Sequence, residues 1–215
     1  RPMPRLLQII QLLQATDIDT DSSDFADFFE QMIVRLVKGV GKRGGLSYQP
    51  AELTKIMSSF IPDKKGVRVY NPFAGLASVA MNLPENTIYH GQELMQKTWV
   101  LAKMRLIVHE KQKHHVSMDD SLHNWLPDST PFDVFIANPP YGMRLRDTNL
   151  KEQTGQRRIE GFFLQKAFEA NAKTVVVLPI GILSGGSSEK ELRQRIVEAD
   201  KLEYVIQLPN RIMYA

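Results

Sequence analysis

Phe132-Asp133-Val134-Phe135-Ile136-Ala137-Asn138-Pro139-Pro140-Tyr141 decides the fold. Asp133 aside, Phe132 to Ala137 is a short apolar run with β-branched and aromatic members, the composition of a central strand covered on both faces. Pro139 and Pro140 cannot donate to a ladder, so the strand ends at Asn138 and the backbone there stays extended. Three groups are therefore presented stiffly at a strand's carboxyl end: the Asn138 amide, the Pro139 carbonyl and the Tyr141 ring.

Two hydrogen-bond acceptors beside a flat aromatic face suit a planar substrate that carries an NH2 group. The acceptors take both amino protons while the ring stacks on the plane, which for a base is worth about 1–3 kcal/mol. Taken alone, the stretch is equally a strand followed by a proline-rich turn. The tetrapeptide resembles the Asn-Pro-Pro-Tyr motif of methyltransferases that modify exocyclic or amide nitrogens with S-adenosylmethionine as donor.

Outward from this strand, helix and strand signals alternate. Val67 to Tyr70, Thr87 to His90, His115 to Met118, Thr174 to Leu178 and Leu202 to Leu208 read as further strands. Met95 to Glu110, Gly161 to Ala172 and Glu189 to Ala199 read as helices, and Asn71 to Ser78 is a small-residue turn opening a short one. Repeated β-α-β order predicts a mostly parallel sheet with helices on both faces, with ligands outside the carboxyl ends of the strands. Gly142 to Arg158 is the one long stretch without periodicity. Arg144, Arg146, Lys151, Arg157 and Arg158 outnumber Asp147 and Glu152 there, so a substrate-side loop touching phosphate is expected, the alternative being a solvated, mobile loop.

Before the first strand the chain is helical. Leu6 to Leu13 reads as a short helix, and Thr16 to Asp24 as a loop ending in a cap at Ser23 or Asp24. Phe25, Phe28, Phe29, Met32, Ile33, Leu36, Val37 and Val40 then follow an i, i+3, i+4 rhythm, an amphipathic helix with a core-facing stripe. Gly39 to Gly45 breaks it, as a flexible connector or as a loop closing over a ligand. Pro50 suits the first turn of the next helix, whose apolar face is Leu53, Ile56, Met57 and Phe60, and Pro62 stops it.

Composition bounds the classes. A chain of 215 residues, 43% hydrophobic and 24% charged, fits one large globular α/β domain with a helical extension. No apolar run approaches the roughly 20 residues of a membrane span, and no signal peptide opens the chain. The absence of cysteine excludes disulfides and thiolate metal sites, which fits the cytoplasm. A net charge of +3 does not by itself argue for nucleic acid. His109, His114, His115 and His123 match no metal-ligand spacing, so no metal is expected. A start at Arg1 suggests a piece of a longer protein.

Three more positions fall at strand ends. Asn71 to Ser78 offers small residues where a ligand can approach backbone N–H groups. Glu93 stands about 20 residues after Asn71, the place of the acid that binds ribose hydroxyls in nucleotide-type folds. Asp119-Asp120-Ser121-Leu122, after the third strand, puts a carboxylate where an adenine amino group can donate to it. In this order, and followed by Asn-Pro-Pro-Tyr, they form a pattern.

Over nearly its whole length the chain resembles the catalytic part of the modification (M) subunit of type I restriction-modification systems, adenine-N6 DNA methyltransferases. Gly44 to Pro50, with Tyr48, Gln49 and Pro50, is similar to the amino-terminal Gly-x-Phe/Tyr-x-Thr-Pro motif that helps hold the methionine part of the cofactor. Asn71, Pro72, Phe73 and Gly75 lie in the equivalent of the donor-binding loop. Glu93 is similar to the ribose-binding acid, Asp120-Ser121-Leu122 to the adenine-contacting Asp-Ser-Leu, and Asn138, Pro139, Pro140 and Tyr141 to the catalytic motif. Val175 to Ser184 and Leu202 to Asn210 resemble later strands. The sequence departs from the family pattern at Asn71, where an acid is usual, at Ala77, where glycine is usual, and at Gln49, where threonine is usual.

The resemblance implies a Rossmann-like S-adenosylmethionine-dependent methyltransferase domain over residues 63–215, incomplete at its carboxyl end, after a helical segment 1–62 carrying a cofactor-closing loop. It implies DNA methylation at a flipped-out adenine, double-stranded DNA as partner, a separate specificity subunit and a restriction (endonuclease/translocase) subunit, and no membrane. Phe162 or Phe163 is a candidate to pack on the flipped base, core packing being the other role. Two alternatives remain at this point: a protein glutamine-N5 methyltransferase, and a donor-binding scaffold without strong activity.

Overall fold

The structure, a computed structural model, describes residues 22–40, 48–210 and 212. Five strands, β1 (Arg68–Asn71), β2 (Ile88–Glu93), β3 (His114–Met118), β4 (Val134–Ala137) and β5 (Lys173–Val176), form a parallel sheet in the order β3-β2-β1-β4-β5. The chain moves outward from β1 to β3, then crosses back to lay β4 on the other side of β1. That reversal between β1 and β4 is the topological switch point, where the flanking loops part and leave a crevice. Register keeps the carboxyl ends nearly level: Asn71 lies opposite Gly91, and Glu93 opposite Met118.

Alternation along the strands fills both faces. Val69, Val134 and Ile136 share one core with Leu53 and Met57 of α2 (Ala51–Ser59), Val79 and Ala80 of α3 (Ser78–Met81), and Ala102 and Leu106 of α4 (Gln96–Val108). Tyr70, Phe135 and Ala137 face the other way, against Trp125 and against Phe162, Phe163 and Ala167 of α6 (Ile159–Glu169). Because β4 is buried at all four positions, period-2 patterning is invisible in it and only the apolar run survives. The expected doubly wound α/β class is therefore what forms.

The N-terminal amphipathic helix, α1 (Ser22–Val40), begins before the expected cap at Ser23 or Asp24 and runs past Gly39. Phe29 and Ile33 are buried with Leu76, but Phe28, Met32 and Leu36 are exposed, so only part of the apolar stripe meets this body. The helix expected over Leu6 to Leu13 and most of the glycine-rich stretch, 41–45, lie outside the described residues. Pro50 stands one position earlier than its expected first-turn place, as the N-cap of α2, at φ −54° and ψ 140°, and its carbonyl accepts from Thr54 N–H at 3.0 Å.

Two expectations fail. Leu202 to Leu208 is not a strand: Leu202, Tyr204, Val205 and Ile206 are more than half exposed. An apolar β-branched run makes a strand only where a ladder edge receives it, and here β5 does not. Gly142 to Arg158 is not a structureless loop either. It holds a short helix, α5 (Thr148–Thr154), capped by Asp147, whose side chain accepts from Asn149 N–H at 2.7 Å and Leu150 N–H at 3.2 Å. Gly155 ends that helix at φ 67°. Arg144 then pairs with Arg158 across an antiparallel bridge, closing the excursion on itself. Seven residues are too few for a visible helical period, and the turn chemistry of Asp147 and Gly155 is the signal that could have revealed it. The last helix is α7 (Ser187–Glu198).

Candidate active site

The crevice at the switch point is built from the loop after β1 and the motif after β4. Asn71 is buried, and its Oδ1 accepts from Phe73 N–H at 3.0 Å, turning the chain around its own side chain. Ala74 N–H donates to Gln92 O at 2.9 Å, and Gly91 lets the loop lie on β2, since a Cβ there would stand 2.7 Å from that of Ala74. Gly75 sits at φ +55° with nothing within 4 Å of where a Cβ would stand, so the loop presents open backbone to the crevice. Ala77 holds the same left-handed region, φ 55°, fully buried. The glycine usual at that place in the resembling family would avoid a cost of about 1–2 kcal/mol there.

Glu93 closes this loop from β2. Its Oε2 accepts from Gly75 N–H at 3.0 Å and its Oε1 from Met95 N–H at 2.7 Å. Partial burial pushes the carboxyl above its ordinary pKa, and the two N–H groups pull it partly back. A carboxyl acceptor thus stands at the lip of an open glycine turn, an acceptor suited to vicinal hydroxyls.

Asp120 caps its own turn, with Oδ1 accepting from Leu122 N–H at 3.0 Å, and it pairs through Oδ2 with His123 Nδ1 at 2.9 Å. The other ring nitrogen of His123 meets Asp147 Oδ2 at 3.1 Å. Both contacts raise the His123 pKa above its ordinary value, the Asp120 bond most. Ser121 is buried beneath this turn.

At the end of β4, Asn138 is half-buried, Pro139 buried and Pro140 exposed. The Tyr141 hydroxyl donates to Asn138 Oδ1 at 2.8 Å, and Asn138 Nδ2 donates to Gln49 Oε1 at 3.4 Å. Gln49 in turn reaches Met57 Sδ at 3.0 Å through Nε2, so the segment before α2 touches the motif directly. Tyr48 lies under the Arg105 guanidinium, 5.7 Å from its ring centroid. Pro72 is buried, and Phe73 meets Phe163 edge-on at 6.1 Å. Phe162 and Phe163 are themselves sealed in the core at 2% and 0% exposure, which places neither beside a substrate base.

Three functional supports were not visible in the sequence. Arg105, buried on α4, forks onto Glu30 of α1 (Nε–Oε1 2.6 Å, Nη2–Oε2 2.7 Å) and also donates from Nη1 to Leu76 O at 3.0 Å and Ser78 Oγ at 2.9 Å. Gln92, buried on β2, accepts from the Tyr70 hydroxyl and donates to Asn124 O at 2.9 Å, fixing the turn after β3. Glu160, buried at the start of α6, accepts the Gly142 N–H directly after Tyr141. A lone charged or amide residue within a helix or strand carries no sequence signal of its partner, which here lies between 18 and 75 residues away.

Among the described residues no group of three or more His, Asp or Glu side chains is arranged to hold a metal, and no helix is long and apolar enough to cross a membrane. His109 instead pairs with Glu30 at 2.9 Å, and His114 is buried beside Tyr89.

A doubly wound sheet with an open glycine turn, an acid at the end of its second strand and an Asn-Pro-Pro-Tyr motif at its switch point is the architecture of an S-adenosylmethionine-dependent methyltransferase. The chain belongs to the N-6 DNA methylase family, whose sequence model matches residues 20–215. It is 25% identical over 239 residues to the type I restriction enzyme MjaVII methylase subunit of Methanocaldococcus jannaschii, which covers 99% of this chain and 41% of the relative. With the MpnII methylase subunit of Mycoplasma pneumoniae it shares 23% over 256 residues, covering 98% of this chain and 45% of the relative. The methyltransferase subunit of a type I restriction-modification system from Streptococcus thermophilus superposes with TM-score 0.59 at 26% identity, over 71% of this chain and 39% of that one. A modification subunit from Vibrio vulnificus shares the fold at TM-score 0.69 and 17% identity, over 89% of this chain and 46% of that one. This chain thus spans less than half the length of these relatives.

Proposed function

We propose that this chain is the donor-binding and catalytic part of a type I modification subunit, transferring a methyl group from S-adenosylmethionine to N6 of a flipped-out adenine in double-stranded DNA. The observation that carries the reading is the meeting of Asn138 with Gln49 and Tyr141 at the carboxyl end of β4, beside the Gly75–Glu93 turn. Residues 63–215 form the methyltransferase domain in this account, and the helical segment 1–62 closes over the cofactor through Tyr48, Gln49 and Pro50. As the family resemblance implies, sequence choice comes from a separate specificity subunit, a restriction subunit completes the assembly, and the complex works in the cytoplasm.

The donor fits the residues present. Glu93 would accept from its ribose hydroxyls, Asp120 from its adenine amino group, with Ser121 buried beneath, and Asn71, Pro72, Phe73 and Gly75 would shape the wall against its methionine part. When bound it supplies an electrophilic methyl on a sulfonium. Asn71 in place of an acid leaves a neutral acceptor, already engaged by Phe73 N–H, so attraction for the donor's ammonium falls to the rest of the loop.

Positioning does the remaining work. Extracting a base from the duplex costs a few kcal/mol, which stacking on Tyr141 offsets. The Asn138 side-chain oxygen and the Pro139 carbonyl accept the two amino protons and draw the nitrogen lone pair out of the ring's conjugation, toward the donor methyl. Pro140 keeps the carbonyl's direction fixed, since its ring locks the backbone. Such preorganised acceptors act electrostatically and need neither a nucleophilic side chain nor a metal. Methyl transfer from radiolabelled donor to adenine in duplex DNA, with the specificity subunit present, tests the reading. Wild-type protein labels N6 and Asn138→Ala reduces labelling by at least about a hundredfold; equal labelling by both, or labelling of a Gly-Gly-Gln protein instead of DNA, would refute it.

A further inference from the structure

The excursion that follows Tyr141 carries an arrangement that the methyl-transfer geometry does not use. Leu145 N–H donates to Arg157 O and Ile159 N–H to Met143 O, both at 3.0 Å, on either side of the Arg144–Arg158 pair. Those bonds make Arg144 and Arg158 a non-hydrogen-bonded antiparallel pair, the kind in which opposed side chains stand closest, on one face. Leu145 and Ile159, their neighbours on the opposite face, are buried at 2% and 5% exposure, whereas Arg144 and Arg158 are exposed. Arg146, also exposed, falls on the same face as Arg144 by alternation. Among the described residues no carboxylate forms an ion pair with any of the three. Like charges set directly opposite one another destabilise a ribbon. The ribbon nevertheless is fastened at both ends, by the Glu160–Gly142 bond and by the Asp147 cap, so the pair is held together by its surroundings.

We propose that this arginine face binds the DNA backbone next to the flipped adenine, with Arg144 and Arg158 sharing a phosphate and Arg146 reaching an adjoining one. The inference rests on the DNA-methyltransferase reading. Arg144 is three residues beyond Tyr141, so their Cα atoms are at most about 11 Å apart, within reach of the phosphates that flank a base stacked on Tyr141. A planar guanidinium pair presents forked donors to phosphate oxygens, and the anion removes the repulsion between them. The contact carries no sequence information and so complements recognition by another subunit.

The test is fluorescence anisotropy of a short duplex carrying one mismatched adenine, over a series of KCl concentrations, with wild-type protein and the Arg144→Ala/Arg158→Ala double variant. The double variant should bind about tenfold more weakly at low salt, and its log–log salt slope should be smaller by about 0.9, the share of the one phosphate the pair holds. A Lys64→Ala/Lys65→Ala control, on exposed residues before the amino end of β1 and so across the sheet from the carboxyl-end site, should behave as wild type. Arg144→Gln/Arg158→Gln should reproduce the effect, and neither double variant should melt lower than wild type, because each removes a repulsion. An unchanged slope, an equal loss in the lysine control, no binding by wild-type protein, or tighter binding of a matched RNA duplex would overturn the proposal. Donor binding measured on the same samples separates the two readings: its absence from wild type sinks the methyltransferase account, whereas a normal donor site with an unchanged salt slope sinks the ribbon alone.

Discussion

The Tyr141 hydroxyl donates to Asn138 Oδ1 at 2.8 Å, so the acceptor assigned to the substrate's amino group is occupied by the motif's own ring. Substrate entry then exchanges one hydrogen bond for another as the ring turns to stack. Tyr141→Phe removes the competitor and keeps the stacking face, and should retain activity within a few-fold. Tyr141→Ala loses stacking worth about 1–3 kcal/mol, a roughly 5- to 150-fold fall in kcat/KM. Steady-state methylation kinetics on the pair decide this, and equal losses in both variants would count against the stacking role.

Arg105 joins α1, α4 and the loop after β1 through one buried guanidinium. Arg105→Ala leaves Glu30, itself mostly buried, without its cation and strands two further acceptors, at an expected cost of about 3–5 kcal/mol. Arg105→Lys should recover little, because a single ammonium cannot reproduce a two-sided fork. Urea denaturation measures both; a Lys variant as stable as wild type would show that charge, not the fork, matters.

Glu160 holds the Gly142 N–H with one oxygen, while its Oε2 is buried with no hydrogen-bond partner among the described residues. Glu160→Gln keeps an acceptor and should keep both stability and rate. Glu160→Ala strands the N–H, costing about 1–3 kcal/mol, and loosens the residue directly after Tyr141. Its kcat should therefore fall while donor affinity stays at the wild-type level. A parallel loss of donor affinity would mean that Glu160 supports the whole domain and not the motif alone.

His123 bridges Asp120 and Asp147, tying the turn after β3 to the cap of α5. Its folded-state pKa is raised by these partners, so the stabilisation is fully present below the unfolded value, ordinarily 6.5, and is lost as pH rises through the folded value. The melting-temperature gap between wild type and His123→Ala should be widest below about pH 6.5 and should shrink as pH rises above it. A gap that widens with pH would contradict the bridge.

The sheet was legible because β4 is a continuous apolar run and the β-α-β order around it needs no tertiary information. The position of Asn138 to Tyr141, Glu93 and Asn71 at strand ends was legible because each stands at the end of an expected strand or within three residues of one. What escaped was long-range or contextual. Arg105 and Glu160 matter through partners on other elements, and α5 is set by a cap and a glycine, not by hydrophobic period. Leu202 to Leu208 shows the converse: its pattern is that of a strand, but pairing is a property of the neighbour, and no ladder receives it. Phe162 and Phe163 fell to packing because two aromatics on a core-facing helix are more cheaply buried than presented.

The most direct test of the donor site is calorimetric titration of S-adenosylmethionine into the wild-type chain and into Glu93→Ala. The account predicts a single site with Kd on the order of micromolar, about −8 kcal/mol, weakened at least about tenfold by Glu93→Ala through loss of a charged acceptor. No binding by folded wild-type protein, or equal binding by both, would contradict it.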